Sequence, residues 1–144
     1  IITYLSIKSP QRIKAYSISF MSSCGIAAVF FILFPAELGF SRTENIEGYE
    51  FMFNAIHAID KPHNLAPSLH IAYSALGTYV LSSEIQSKIL KGIIWIWFIL
   101  ICSSIVLVHQ HHLFDVFSGM LLSSFVINVI FKKFNISSEA IKAN

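Results

Sequence analysis

The chain has 144 residues, of which 55% are hydrophobic, 14% aromatic and only 12% charged, about half the charge of an ordinary soluble domain. That balance, with a mean hydropathy of +0.67, excludes a disordered tail or a conventional cytosolic domain and makes lipid the main solvent. A net charge of +2 supplies no basic patch for a nucleic-acid partner.

The sequence begins at Ile1 rather than Met, so it reads as a fragment: a single membrane-embedded domain over 1–144, expected to lack upstream helices and carrying no cleavable signal peptide. A helix needs roughly 20 mainly apolar residues to cross the hydrocarbon. Between Lys14 and Glu37 lie 22 residues free of Lys, Arg, Asp and Glu, between Lys61 and Glu84 another 22, and between Lys91 and Asp115 there are 23. A fourth apolar stretch runs from His112 to Phe131 with Asp115 as its single charge. The spacing predicts an all-α polytopic bundle with membrane helices at 15–34, 66–83, 92–108 and 112–131. Cys24 and Cys102 fall inside apolar runs and read as inert buried thiols. Trp95, Trp97 and Phe98 read as lipid-facing or interfacial anchors.

Between the first two helices lies the one long polar stretch, with Glu37, Arg42, Glu44, Glu47, Glu50, Asp60 and Lys61. Within it Tyr49, Met52, Phe53, Ile56 and Ile59 recur at helical spacing, as in a short amphipathic helix on the membrane surface. A loop packed on the helix ends fits the same residues equally well.

Basic residues near helix ends stay cytoplasmic. Lys8, Arg12, Lys14, Lys88, Lys91, Lys132, Lys133 and Lys142 fall on one side of the four-helix arrangement, and Arg42 and Lys61 on the other. Both termini are therefore expected in the cytoplasm. All six histidines, His57, His63, His70, His109, His111 and His112, then fall at or near the outer, non-cytoplasmic face.

The second helix opens Asn64-Leu65-Ala66-Pro67-Ser68-Leu69-His70. Proline suits a first helical position, and the amides after it point outward with the positive end of the helix dipole, an arrangement that holds phosphate. Ser68 and Leu69 are thus candidate anion-binding positions, Ser68 adding a hydroxyl, and His70 can give or take a proton. A histidine merely bonded to a neighbouring carbonyl is the commoner outcome for such a start taken alone. The fourth helix opens His109-Gln110-His111-His112-Leu113-Phe114-Asp115. A carboxylate in a membrane helix needs a partner, and His111 and His112 stand four and three residues before it, positions that meet on a helix surface. A carboxylate bonded to one imidazole nitrogen fixes the tautomer and leaves the other as nucleophile or base. A purely structural His–Asp pair at a helix end accounts for the same residues. With both motifs on one face, one imidazole can attack phosphorus while the other protonates the leaving oxygen.

Pro67-Ser68-Leu69-His70, then Ser104, His111, Asp115 and Gly119, resembles the second and third signature blocks of the type 2 phosphatidic acid phosphatase superfamily. The Ala-Pro-Ser-Leu-His form, with Ser103-Ser104, Gln110-His111-His112 and Asp115-Val116, looks most like its divergent inositolphosphotransferase-like branch. The resemblance covers roughly residues 28–130. It implies a helical membrane bundle acting on a lipid phosphate without metal or cofactor, with His111 as nucleophile, Asp115 orienting it and His70 as the acid for the leaving group. The chain departs from that pattern in two places. Ile105 follows Ser104 where the family has arginine, and Phe34-Pro35-Ala36-Glu37-Leu38-Gly39-Phe40-Ser41-Arg42 stands where a lysine and Arg-Pro block belongs. Arg42 and Lys61, the basic residues on the expected active face, are the candidate replacements among the phosphate ligands. Two other readings stand beside this one. The first is a lipid-phosphate-binding protein that has lost turnover. The second is a metal enzyme drawing on His63, His109, His111, His112 and Asp115.

Overall fold

Pro10 opens the first long helix, α1 (Pro10–Leu33), where a missing N–H costs nothing. The helix stops at Phe34 because Pro35 follows it, and a residue before proline is pushed out of the helical region. The computed structural model describes residues 1, 5, 9–35, 48–59, 65–108 and 111–135, the side chains of 11, 53 and 56–59 excepted. Arg42, Lys61, His63 and His109 lie outside the described residues, as does the His57 side chain.

Gly48, at φ +84°, takes a left-handed turn that side-chain-bearing residues rarely adopt. It leads into α2 (Glu50–Ile59). The polar stretch therefore does carry the short helix that its apolar spacing suggests, and Tyr49, Phe51 and Met52 are exposed. Three further helices follow, α3 (Leu69–Glu84), α4 (Lys88–Leu107) and α5 (Leu113–Phe125). Ser68 and Ser87 cap α3 and α4, each hydroxyl accepting an amide of the first turn, from Ile71 and Leu90. Beyond Phe125 the helix widens to π-type bonding over Val126–Phe131 and continues to Asn135.

Among the described residues four long helices form the bundle, close to the spans that the charge-free intervals mark out, and there is no strand. Among the described residues three stretches are long and apolar enough to cross a membrane: Arg12–Leu33, Lys88–Leu107 and Leu113–Asn135. The remaining helix, α3, has 16 residues, about 24 Å of rise. It is the hub, packed against α1, α4 and α5. Small and branched residues make that possible: Ile71, Ala72, Ala75, Leu76, Gly77, Thr78 and Val80 are all buried.

Three apolar clusters hold the helices together. Leu76 and Val80 of α3 meet Ala15 and Tyr16 of α1 and Phe131. Ile71 and Ala75 meet Phe98 and Ile105 of α4 and Val116 of α5, and Ala72 meets Ala27, Leu122 and Val126. Phe98 is therefore a core residue, 7% exposed, and not part of a lipid-facing anchor; Trp95 and Trp97 are exposed, at 43% and 65%. Periodicity explains the difference, since Phe98 shares its side of α4 with Ile105, two turns on.

At one end of the bundle the start of α1 is fastened to the end of α3. Arg12 pairs with Glu84 at 2.5 Å and donates to Ser83 Oγ at 2.8 Å, while the Ser9 hydroxyl donates to Glu84. Lys88 and Lys91 begin α4 and Lys132 and Lys133 end the α5 helix at this same end. The other end carries Ser68, His70, His111, His112 and Asp115.

Candidate active site

The site is made by one helix start facing another. Ala66–Pro67 is a cis peptide, and Ser68 after it is fully buried. The Ser68 amide donates to the Asp115 carbonyl at 3.2 Å, its carbonyl accepts the Ala72 amide at 3.0 Å, and its hydroxyl accepts the Ile71 amide at 3.5 Å. The Leu69 and His70 amides belong to the first turn, where no intrahelical acceptor exists. Leu69 turns its side chain to the cluster between α1 and α5, so what it can offer a phosphate is its amide.

Helix α5 starts at Leu113 with His112 as its cap residue, so His111 precedes the helix. The His111–Asp115 pair forms, but not as helix-surface neighbours. The His111 amide donates to the Ile105 carbonyl at 3.2 Å, bending the chain over the end of α4. Asp115, in the first turn of α5, reaches back: its Oδ2 lies 3.3 Å from His111 Nδ1 and accepts the His112 amide at 2.9 Å. The carboxylate is 4% exposed, and the amide, the imidazole and the positive end of the helix replace the water it gives up.

His111 is itself buried, at 2%. Its Nε2 lies 3.4 Å from His70 Nδ1, the two rings meeting edge to face at 67° with centroids 5.6 Å apart. His70 is exposed. The order Asp115–His111–His70 is therefore a relay from a buried carboxylate to an accessible imidazole. With Nδ1–H of His111 donated to Asp115, its Nε2 keeps a lone pair facing His70.

Gly119 sets the distance between the two helix starts. A Cβ at this position would lie 2.6 Å from the Ser68 carbonyl oxygen and 2.9 Å from Ile71 Cβ. Gly119 sits one turn past Asp115 on the same face, so the closeness that glycine permits is what brings Ser68 and Asp115 into hydrogen-bonding range. Composition and spacing mark Gly119 only as a position in a pattern; its packing role is visible in three dimensions alone.

A family model described as the PAP2 superfamily matches residues 1–129. The chain belongs to the PAP2 superfamily. The match reaches further toward the first residue than the motifs alone do. No curated protein and no solved structure matches the chain. Membership in the PAP2 superfamily supports phosphatase- or phosphotransferase-type chemistry on lipid phosphates in general terms, and it agrees with the membrane-spanning lengths of α1, α4 and the Leu113–Asn135 helix.

Other residues expected at the PAP2 site stand differently. Ser104 is exposed on the last turn of α4, where its hydroxyl donates to the Ile101 carbonyl at 2.9 Å and its carbonyl accepts the Val108 amide. Ile105 is buried among Ile71, Phe98 and Val116. His112 is half-buried, with its backbone amide on Asp115. Arg42 and Lys61 fall outside the described residues. Among the described residues no three His, Cys, Asp or Glu side chains group as metal ligands would.

Proposed function

We propose that the protein is a membrane enzyme that transfers or hydrolyses the phosphoryl group of a lipid phosphate through a phosphohistidine on His111. The observation that carries this reading is the chain of contacts from Asp115 Oδ2 through His111 to His70 Nδ1 at 3.3 and 3.4 Å. In the first step His111 Nε2 attacks phosphorus, an N–P bond forms, and the bond to the lipid oxygen breaks. His70 gives its proton to that oxygen. Asp115 holds Nδ1–H and stabilises the positive charge that the ring acquires. In the second step His70 takes a proton from water, or from an alcohol head group, whose oxygen displaces His111 from phosphorus.

Reacting atoms approach to about 3–3.5 Å before transfer, and the His70 ring occupies that distance from Nε2 in the resting site. Substrate entry therefore requires the exposed His70 ring to swing aside and to return as a donor to the leaving oxygen. Charge on the moving phosphoryl group needs cationic or amide clamps. The Leu69 and His70 amides, with the Ser68 hydroxyl proton, serve one side, and Arg42 and Lys61 are the proposed cations. Ser104 joins the substrate-binding set if its hydroxyl turns from Ile101 toward the phosphate. The Ala-Pro-Ser-Leu-His and Gln-His-His forms support, within this reading, an assignment to the inositolphosphotransferase-like branch. The catalytic end is assigned to the non-cytoplasmic face and both ends of the chain to the cytoplasm, because the described basic residues gather at the opposite end. The path calls on no metal or cofactor.

The buried Ile105, standing where the family has an arginine, favours a second reading: a protein that binds lipid phosphates without turning them over. Phosphate release and head-group exchange from a panel of labelled lipid phosphates, with excess chelator, separate the two. Turnover that persists with chelator and vanishes in His111→Ala supports the enzyme. Binding without turnover on any lipid selects the second reading, and turnover lost to chelator and restored by added metal would overturn the proposed path.

A further inference from the structure

Beside the site, α1 and α5 diverge and leave a groove of about 700 Å³, within the range of small-molecule sites. Ile26, Phe30 and Phe34 form one wall and Phe114, Leu121 and Phe125 the other, with Ala66 and Pro67 closing the outer end. We propose that this groove holds one hydrocarbon chain of the lipid phosphate whose phosphoryl group is processed at His111, an inference that rests on the phosphoryl-transfer reading.

Position, chemistry and length each argue for that occupant. Pro67 is bonded to Ser68, the cap residue of α3, and Phe114 to Asp115, so the outer end of the groove lies beside the residues proposed to handle phosphate. The lining is apolar and aromatic apart from Ser118, whose hydroxyl is already given to the Asp115 carbonyl at 3.1 Å. A chain without polar atoms meets no unsatisfied group there. From Phe114 to Phe125 the α5 wall rises about 16 Å, close to half of the roughly 30 Å hydrocarbon thickness. That is the depth of one leaflet. A lipid of the leaflet on the His111 side can therefore keep its phosphate at the site and lay one chain along the whole groove.

Ile26 also packs against the cluster of Ala27, Ala72 and Leu122, but the aromatic walls and Leu121 lie outside the core clusters. Phe30 is 47% exposed, Leu121 56% and Phe125 52%, so substitution there leaves the clusters around α3 intact. Filling the groove at Leu121→Trp should shorten the chain it accepts. Each methylene kept out costs about fourfold in affinity, and two or three cost about 15- to 60-fold.

The test uses the full chain in liposomes with a long-chain alkyl phosphate carrying a photoreactive diazirine in mid-chain, followed by peptide mapping. Label is expected on the α1 and α5 walls, competed by unlabelled long-chain alkyl phosphate and not by the corresponding alcohol. Leu121→Trp should lose the label and lower kcat/KM for the long-chain phosphate by about 15- to 60-fold, leaving a water-soluble short-chain phosphate unaffected. Ile96→Trp, on the exposed side of α4, should change neither. Label spread over α4 as well, equal competition by the alcohol, or equal loss on both chain lengths in Leu121→Trp would overturn the proposal. The two readings fail separately. Turnover without groove labelling sinks the groove, whereas phosphate-dependent groove labelling without turnover of any substrate sinks the phosphoryl-transfer reading and leaves a phospholipid-binding groove.

Discussion

Gly119→Ala tests whether the close approach of α5 to the start of α3 builds the site. The added methyl would stand 2.6 Å from the Ser68 carbonyl oxygen and 2.9 Å from Ile71 Cβ, and neither neighbour is the free end of a flexible side chain. Reaching ordinary contact at 3.4 Å requires a separation of about 0.8 Å, a small overpacking strain of about 1–3 kcal/mol. The Ser68 amide and Asp115 carbonyl, now 3.2 Å apart, would move to about 4 Å and lose their hydrogen bond. His70 and His111 lie on the two separated elements, so their alignment shifts with them. A misplacement near 1 Å costs on the order of 10² in rate. Gly25 and Gly92 have nothing within 4 Å of an added Cβ, and alanine at either should be neutral or stabilise by up to about 1 kcal/mol. The assay pairs a thermal unfolding midpoint in detergent with the initial rate of phosphate release. Gly119→Ala is expected to lose on the order of 10² in kcat with a lowered but cooperative transition, while Gly25→Ala and Gly92→Ala keep full rate. Undiminished turnover in Gly119→Ala would refute the argument that this contact positions the catalytic pair.

Four further substitutions have distinct expected outcomes. His112→Ala should retain most activity, because the hydrogen bond that the Asp115 carboxylate accepts from His112 comes from the backbone amide at 2.9 Å and survives the substitution; loss equal to that in His111→Ala, read as phosphate release, would overturn the assignment of the nucleophile. Asp115→Asn should lower kcat by on the order of 10³–10⁴ by releasing the His111 tautomer, with little change in KM, and His70→Ala by on the order of 10²–10⁴. Glu84→Ala removes the partner of a half-buried Arg12 and should cost about 1–3 kcal/mol of stability. Its kcat should be unchanged, since the pair lies at the far end of α3, about 21 Å from His70; a rate loss without unfolding would show that this end is coupled to the site.

The bundle is legible in the sequence because membrane solvent forces apolar intervals between charges; the starts of α1 and α4 are less so, at 10 and 88 rather than 15 and 92, because both helices take in charged residues that such intervals leave out. The pairing of His111 with Asp115 is legible too, although for a different physical reason from surface spacing: Asp115 folds back on residues that precede the helix. The 3.4 Å approach of His70 to His111 is not legible, because it depends on Gly119 letting two helices touch forty residues apart in the chain. Nor is the inward turn of Phe98, which an apolar helix with no polar face leaves unspecified, or the π-type widening over Val126–Phe131. Ser104 illustrates a limit of motif reading, since a pattern gives its position and not the Ile101 carbonyl that its hydroxyl engages.

The central claim is that phosphorus becomes bonded to His111. Rapid mixing of the protein with a lipid carrying labelled phosphate, quenching in alkali and mapping the labelled peptide tests it directly. The account predicts acid-labile label on His111, absent from His111→Ala and Asp115-independent in position. Label on His70, or full turnover with no labelled histidine at any mixing time, would contradict it.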